Sequence, residues 1–188
     1  MKKLLNNKAI SAKKISFAAL FSALCCIGTL VIVIPLPNGY FNVGDVFVLL
    51  AGWCLGPIYG AIAAAIGTAL ADVISGFTLY ALPTFFIKGI EALLAYFVWR
   101  LLSKILKNAK WNFIARGASA LIGGVWMAFG YFLFESVLYG FGGAAVSVIG
   151  NLTQAICCAI CAFLLVSALQ PIKGVKTLFP YLMVDRNE

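Results

Sequence analysis

Six apolar runs, separated by short breaks rich in Gly, Pro, Asn or Lys, constrain what this chain can fold into. They cover residues 15–34, 46–55, 58–74, 82–102, 113–138 and 144–169. A transmembrane helix needs roughly 20 predominantly apolar residues, and all but the second run approach or exceed that length. The second run is followed by Gly56-Pro57, a pair that favours a break. The pattern predicts an all-α integral membrane protein with six transmembrane helices, the second of them short.

The composition excludes an ordinary soluble domain. Hydrophobic residues make up 63% of the chain, charged residues 11%, and the mean hydropathy is +1.04, whereas soluble domains are roughly half apolar and about a quarter charged. The chain contains no His, which excludes His-ligated metals and His-based catalytic triads. We therefore predict a single membrane domain over residues 1–188 that is not an enzyme and holds no metal or other cofactor.

Basic residues predict the orientation of the chain in the membrane. Thirteen of the fourteen fall before the first helix, around the connection between the fourth and fifth, or after the sixth; they are Lys2, Lys3, Lys8, Lys13, Lys14, Arg100, Lys104, Lys107, Lys110, Arg116, Lys173, Lys176 and Arg186. With six crossings they share one face, which the positive-inside rule assigns to the cytoplasm. The basic segment 1–14 and the tail 170–188 are then cytoplasmic. Topology also explains the net charge of +8, so we predict no nucleic-acid partner.

Several charged or amide side chains lie inside the predicted spans, where they are costly and usually mark a functional site. They are Asp45, Asp72, Lys88, Glu91, Glu135, Asn151 and Gln154. The predicted helix directions place all of them in the outer halves of the spans, facing one extracellular cavity. Lys88 and Glu91 are three residues apart on one helix face, so they either neutralise each other or form the floor of a ligand site.

The segment 37–45 and a set of aromatic residues indicate how the cavity is covered. The segment combines turn formers with Tyr40, Phe41 and two Asn side chains, and it is predicted to be a lid. Four aromatic residues near the outer helix ends suit stacking against a flat heteroaromatic ligand, although an interfacial aromatic belt is the alternative. These four are Tyr80, Trp126, Tyr131 and Tyr139.

Small residues dominate the inner halves of the spans and favour close helix packing. Most of them are predicted to pack internally, namely Gly52, Gly56, Gly60, Ala120, Gly124 and Ala128. Ala19 and Ala23 differ, because the first helix is at the chain end and is free to present this face to another protein. The chain has no Walker A motif, so we expect the energy for any transport to come from elsewhere.

One block of sequence resembles a known family. It comprises residues 39–45 (GYFNVGD), 55–60 (LGPIYG), 67–72 (GTALAD) and 81–91 (ALPTFFIKGIE). Together with the size and six predicted spans, the block resembles the substrate-binding membrane subunit, or S component, of energy-coupling factor (ECF) vitamin transporters. The branch for pyridoxine and hydroxymethylpyrimidine ligands is the most similar, and the riboflavin branch comes next.

The resemblance implies a function, partners and site residues. It implies high-affinity capture of a vitamin or precursor outside a bacterial plasma membrane, and translocation with a transmembrane coupling protein and two ATPases. Ala19 and Ala23 match the A-x-x-x-A docking pattern. The substrate-binding residues are then Asn42, Lys88, Glu91, Tyr131 and Asn151.

The chemistry of these residues suits a six-membered nitrogen heterocycle. Glu91 can accept hydrogen bonds from a ring amine or a hydroxymethyl group, and Asn42 and Asn151 can both donate and accept. Lys88 indicates either an anionic ligand such as pantothenate or a structural partner of Glu91. The rival functions are a stand-alone proton-coupled carrier, since buried acids can shuttle protons, and an intramembrane hydrolase.

Overall fold

The computed structural model describes residues 2–36, 38–106 and 112–182, which are almost entirely helical. The elements are α1 (Lys2–Val31), β1 (Val33–Leu36), β2 (Gly39–Asn42), α2 (Gly44–Leu55), α3 (Pro57–Ile74), α4 (Thr78–Leu106), α5 (Asn112–Leu169), α6 (Lys173–Leu178) and a 3-10 helix (Pro180–Leu182). Helix α5 breaks at Gly140, where φ is 74° and ψ is 167°. The break divides α5 into two segments that match the fifth and sixth predicted runs.

Within the described residues, four helices are long and apolar enough to cross a membrane: residues 12–31 of α1, and the whole of α3, α4 and α5. The chain is thus a multi-pass membrane protein, as predicted. Six crossings require α5 to cross twice and the short α2 to contribute one, so that number and the cytoplasmic side of the termini stay predictions. Lys107, Lys110 and Arg186 lie outside the described residues, as do the side chains of Lys2, Lys3 and Lys8.

Helix α2 is the centre of the bundle. All but one of its residues are buried, and α1, α3, α4 and α5 all pack against it. A helix that is apolar all round belongs inside a bundle. The Trp53 indole, which is fully buried, donates to the Ala95 carbonyl at 3.2 Å. This central position explains why α2 does not need the length of a lipid-facing span.

Glycines permit the close helix approaches that the small-residue pattern predicts. A Cβ added at Gly52 would overlap the Ala92 carbonyl of α4, and one at Gly124 would lie 2.5 Å from the Cβ of Ala155. Gly56 joins α2 to α3 with φ of 80°, a left-handed conformation that favours glycine. The prediction of internal packing is confirmed for these positions.

The described residues are almost entirely helical, as predicted, and one short β-hairpin between α1 and α2 is the departure from the all-α prediction. Helix α1 ends at Val31 and not at residue 34, and β1 pairs antiparallel with β2, with Val33 opposite Asn42 and Leu36 opposite Gly39. The β-branched run 31–34 suits a strand better than a helix end, and Asn38-Gly39 provides turn residues. Of the predicted lid segment, residues 39–42 form β2 and residues 44–45 begin α2; Pro37 lies outside the described residues.

The C-terminal segment packs against the helix ends opposite the hairpin. The Phe179 ring meets the Phe17 ring of α1 edge-on, with centroids 4.9 Å apart. Arg116 is buried; its guanidinium lies 4.7 Å from the centre of the Trp99 ring and donates to the Leu182 carbonyl at 2.7 Å. Residues 170–182 of the predicted tail are therefore partly attached to the bundle, and residues 183–188 lie outside the described part of the chain.

Candidate ligand-binding site

A polar chamber lies at the end of the bundle where the hairpin, the α3–α4 turn and the break in α5 meet. Residues of α1, the hairpin, α3, the α3–α4 turn, α4 and α5 form its wall. The lining side chains are Thr29 from α1, Leu36, Asn38, Tyr40 and Asn42 from the hairpin segment, Thr68 and Asp72 from α3, Phe77 from the turn, Tyr80, Thr84 and Lys88 from α4, and Tyr131, Glu135, Ser147, Asn151 and Gln154 from α5. Of the seven polar side chains predicted to share a cavity, five line it and two, Asp45 and Glu91, do not.

A charge cluster forms the deep end of the chamber. The Lys88 ammonium donates to Asp45 in a short contact and to Glu91 Oε2 at 3.2 Å. All three side chains are at most 3% exposed. The ammonium also lies 5.6 Å from the centre of the Tyr131 ring, within cation–π range. Lys88 is thus held by two carboxylates and one aromatic face before any ligand binds.

An amide network joins this cluster to the hairpin. The Gln154 side chain donates to Asp45 Oδ2 at 2.8 Å and accepts from the Asn42 backbone N–H at 2.8 Å. The Asn42 side-chain oxygen accepts from the Gly44 N–H at 2.9 Å, at the start of α2. A displacement of β2 would therefore disturb the hydrogen bonds that hold Asp45, and through Asp45 the position of Lys88.

Tyrosine hydroxyls hold the cover of the chamber in place. Tyr40 of β2 donates to Asp72 Oδ1 at 2.7 Å, and Tyr80 of α4 donates to the Asn38 carbonyl at 2.7 Å. Burial, together with the neighbouring Asp72 carboxyl, raises the pKa of the Tyr40 phenol, so the phenol remains a donor. The Asn38 amide also donates to the Gly143 carbonyl at 2.6 Å. The hairpin is therefore attached to α3, to α4 and to the part of α5 just after its break.

The predicted substrate-binding residues come together, but they do not occupy equivalent places. Asn42, Lys88, Tyr131 and Asn151 line the chamber. Glu91 lies behind Lys88, is 1% exposed and contributes nothing to the chamber lining. The structure therefore places Glu91 where it acts on Lys88 rather than where it would touch a ligand.

The four predicted aromatic residues also divide into those that line the chamber and those that do not. Tyr80 and Tyr131 line the chamber, and the Tyr131 hydroxyl shares a hydrogen bond of 2.9 Å with Thr84. Tyr139 is half exposed at the rim, with its hydroxyl 3.5 Å from that of Tyr80. Trp126 donates to the Ile87 carbonyl at 3.1 Å and is not part of the lining. Two of the four aromatic residues are thus available for contact with a ligand.

Sequence reasoning missed several chamber residues. Thr29, Thr68, Thr84 and Ser147 all line the wall, yet Ser and Thr are common in membrane helices, where they bond to their own backbone. Thr29 and Thr68 do so, each at 2.8 Å. Helical spacing from Asp72 and Lys88 points towards Thr68 and Thr84, since residues four apart share a face. The same spacing from Asn151 points towards Ser147.

Ala19 and Ala23, the predicted docking residues, lie on the outer surface of α1 and are exposed. Neighbouring Phe21 and Cys25 on the same helix are buried against the bundle. The A-x-x-x-A stripe therefore points away from the core.

Fold and site define a class: a multi-pass helical membrane protein with a polar ligand chamber between its helices, closed by a hairpin at one end. The family described as "ECF-type riboflavin transporter, S component" matches residues 9–171, which is most of the chain. The protein therefore belongs to the ECF transporter S components, and that prediction is confirmed. It is also similar to a protein of Pyrococcus woesei described as "Uncharacterized protein in gap 3'region", with 36% identity over 130 residues, 68% of this chain and 82% of that protein.

Proposed function

We propose that the chain captures a small water-soluble vitamin or vitamin precursor in this chamber and carries it across a bacterial plasma membrane as the S component of an ECF transporter. The observation that supports this most directly is the chamber itself. Its polar wall is built from α1, the hairpin, α3, α4 and α5, within a chain whose outer surface is otherwise rich in exposed Ile, Leu, Val and Phe. Polar side chains buried at membrane depth are costly and usually serve a ligand or a pathway.

The proposed ligand is a vitamin B6-type compound or a hydroxymethylpyrimidine. Tyr80 and Tyr131 provide aromatic faces, and Asn151 provides an amide that can both donate and accept. These groups suit a six-membered nitrogen heterocycle with hydroxyl or amino substituents. Riboflavin is the alternative, supported by the name of the family that matches the chain.

The proposed partners are a transmembrane coupling protein and two ATPase subunits, which would supply the nucleotide-binding motifs that this sequence lacks. Ala19 and Ala23 form the proposed docking stripe, because small exposed residues let a second helix approach closely in lipid. Both termini are proposed to be cytoplasmic, on the same side as the ATPases. The exposed Lys104 and the α6 lysines lie at that end of the bundle.

The test is ligand binding by the purified chain in detergent or nanodiscs. We expect one of pyridoxine, 4-amino-5-hydroxymethyl-2-methylpyrimidine and riboflavin to bind with submicromolar Kd, and uptake into liposomes to require the coupling protein, the ATPases and ATP. Uptake by the isolated chain driven by a proton gradient would contradict the S-component mechanism and support a proton-coupled carrier. Failure of all three compounds to bind would contradict the proposed ligand class.

A further inference from the structure

Two buried carboxyl groups in the chamber wall each have an oxygen without a hydrogen-bond partner. Asp72 Oδ1 accepts from the Tyr40 hydroxyl at 2.7 Å, whereas Glu135 Oε1 lies 3.3 Å from the Tyr80 hydroxyl, which donates its proton to the Asn38 carbonyl. Asp72 Oδ2 and Glu135 Oε2 have no hydrogen-bond partner among the described residues. Both side chains are at least nine-tenths buried, with 5% and 2% exposure. A buried polar atom left unsatisfied is destabilising and rare in native structures.

Nearby polar groups do not satisfy these two oxygens. Thr84 lies close to Asp72, but Asp72 Oδ2 reaches no hydrogen-bond geometry with it, and the Thr84 hydroxyl forms a 2.9 Å hydrogen bond with Tyr131 in which either group can donate. Ser147 lies close to Glu135, yet the geometry of a hydrogen bond is not reached and the Ser147 hydroxyl is itself unsatisfied. Three polar atoms without a hydrogen-bond partner therefore belong to side chains of the chamber wall, and the two carboxylate oxygens can only accept while the side chains are ionised.

The charge of the chamber points to the same kind of ligand. Among the described residues, Lys88 is the only basic side chain in the wall, and its ammonium is already engaged by Asp45 and Glu91. Asp72 and Glu135 add two further carboxyl groups. A phosphate or carboxylate on the ligand would add like charge in a water-poor site, where repulsion is strong, with no free cation to offset it.

Within the proposed function, on which this inference rests, we propose that Asp72 and Glu135 are the two acceptors that hold the ligand. The ligand is then a molecule with O–H or N–H donors at two separate points and no anionic group. Tyr40 orients the Asp72 carboxyl by donating to its other oxygen. The alcohol or amine form of a vitamin meets this requirement, whereas its phosphate ester does not.

The test makes two comparisons. One is between ligands that are alcohols and their phosphate esters, and the other is between the wild-type carboxyl side chains and their Ala and amide replacements. The wild-type chain is titrated calorimetrically with pyridoxine, 4-amino-5-hydroxymethyl-2-methylpyrimidine and riboflavin. It is also titrated with the phosphate ester of each compound. We expect an alcohol to bind and its ester to bind at least 100-fold more weakly. For that alcohol, Asp72→Ala and Glu135→Ala each weaken binding about 10- to 100-fold, as loss of a hydrogen bond to a charged group predicts, and Asp72→Asn and Glu135→Gln weaken it less.

Thermal unfolding of the ligand-free variants separates this role from a structural one. Because each carboxyl is unsatisfied without ligand, Asp72→Asn and Glu135→Gln should unfold at the wild-type temperature or above it. Ser119→Ala is the matched control: Ser119 is buried and bonded to Trp53 and the Arg116 carbonyl, outside the chamber. It should unfold at a lower temperature and keep wild-type affinity.

The possible failures are distinguishable. An alcohol that binds the wild type, the Ala variants and the amide variants equally would overturn the inference and leave the proposed function standing. An ester that binds as tightly as its alcohol would do the same. A wild-type chain that binds none of the six compounds would overturn the proposed ligand class and the inference with it.

Discussion

Replacing Lys88 by Met tests whether the buried charge cluster holds the deep end of the chamber together. The substitution keeps an unbranched side chain, one atom shorter than lysine, and removes the ammonium that contacts Asp45 and Glu91. Asp45 and Glu91 are each 1% exposed, so neither can recover hydration in the folded state. Removing one partner of a buried ion pair costs about 3–5 kcal/mol of unfolding free energy, because it leaves buried charge uncompensated.

For a chain of this length each kcal/mol corresponds to about 2–4 °C in Tm, so Lys88→Met should unfold about 6–20 °C below the wild type. The assay is thermal unfolding of the ligand-free chain in detergent. The triple variant Asp45→Asn, Lys88→Met, Glu91→Gln should regain at least half of the loss, since a wholly neutral cluster leaves no unpaired charge. Lys104→Met, an exposed lysine at the other end of the bundle, is the control and should unfold like the wild type. A Lys88→Met Tm within 2 °C of the wild-type value would refute the reasoning, as would a triple variant less stable than the single one.

Three further predictions concern docking, the hairpin and the packing of α1. Ala19→Leu combined with Ala23→Leu should leave ligand affinity intact and abolish co-purification with the coupling protein; unchanged co-purification would exclude the docking stripe. Tyr40→Phe removes the hydroxyl that donates to the Asp72 carboxyl of α3 at 2.7 Å. It should lower the unfolding free energy by about 1 kcal/mol, measured by thermal unfolding, and speed ligand release, measured by stopped-flow. Gly67→Ala places a Cβ against the α1 backbone and should cost about 1–3 kcal/mol, whereas Gly117→Ala, with open space at its Cβ, should be neutral or stabilising in the same unfolding assay.

The helices were predictable because the bilayer imposes their length and the apolar runs report it directly. The breaks at Gly56-Pro57 and Gly140 carry residue types with local conformational preferences, and the structure breaks at both. The hairpin was not predicted, since the apolar run continues through Val33 and Ile34 and hydropathy does not distinguish a strand from a helix end. The strand is defined only by its pairing with β2, in which Val33 meets Asn42, nine residues further on, and Ile34 meets Phe41, seven residues further on.

The location of the site was predictable from the cost of burying charge, but the full set of contacts between its charged residues was not. Lys88 and Glu91 share a helix face, so their contact follows from a three-residue spacing. The closer partner of Lys88 is Asp45, 43 positions away, and no local pattern specifies such a contact. The same limit applies to Glu91. The sequence predicts that this residue lies near the ligand, but it does not predict that Lys88 lies between Glu91 and the chamber.

Helix α1 connects the proposed docking stripe with the cover of the chamber. Ala23 is exposed on its surface, and Thr29, six residues or about 9 Å of helix further along, lines the chamber. The chain then enters β1 almost at once, after a single residue, and Asn42 of β2 joins the network that holds Asp45. A partner that tilts α1 would therefore pull on the hairpin. Because coupling between two sites is reciprocal in free energy, a coupling protein that loosens the hairpin in this way must bind the ligand-loaded chain more weakly than the empty one.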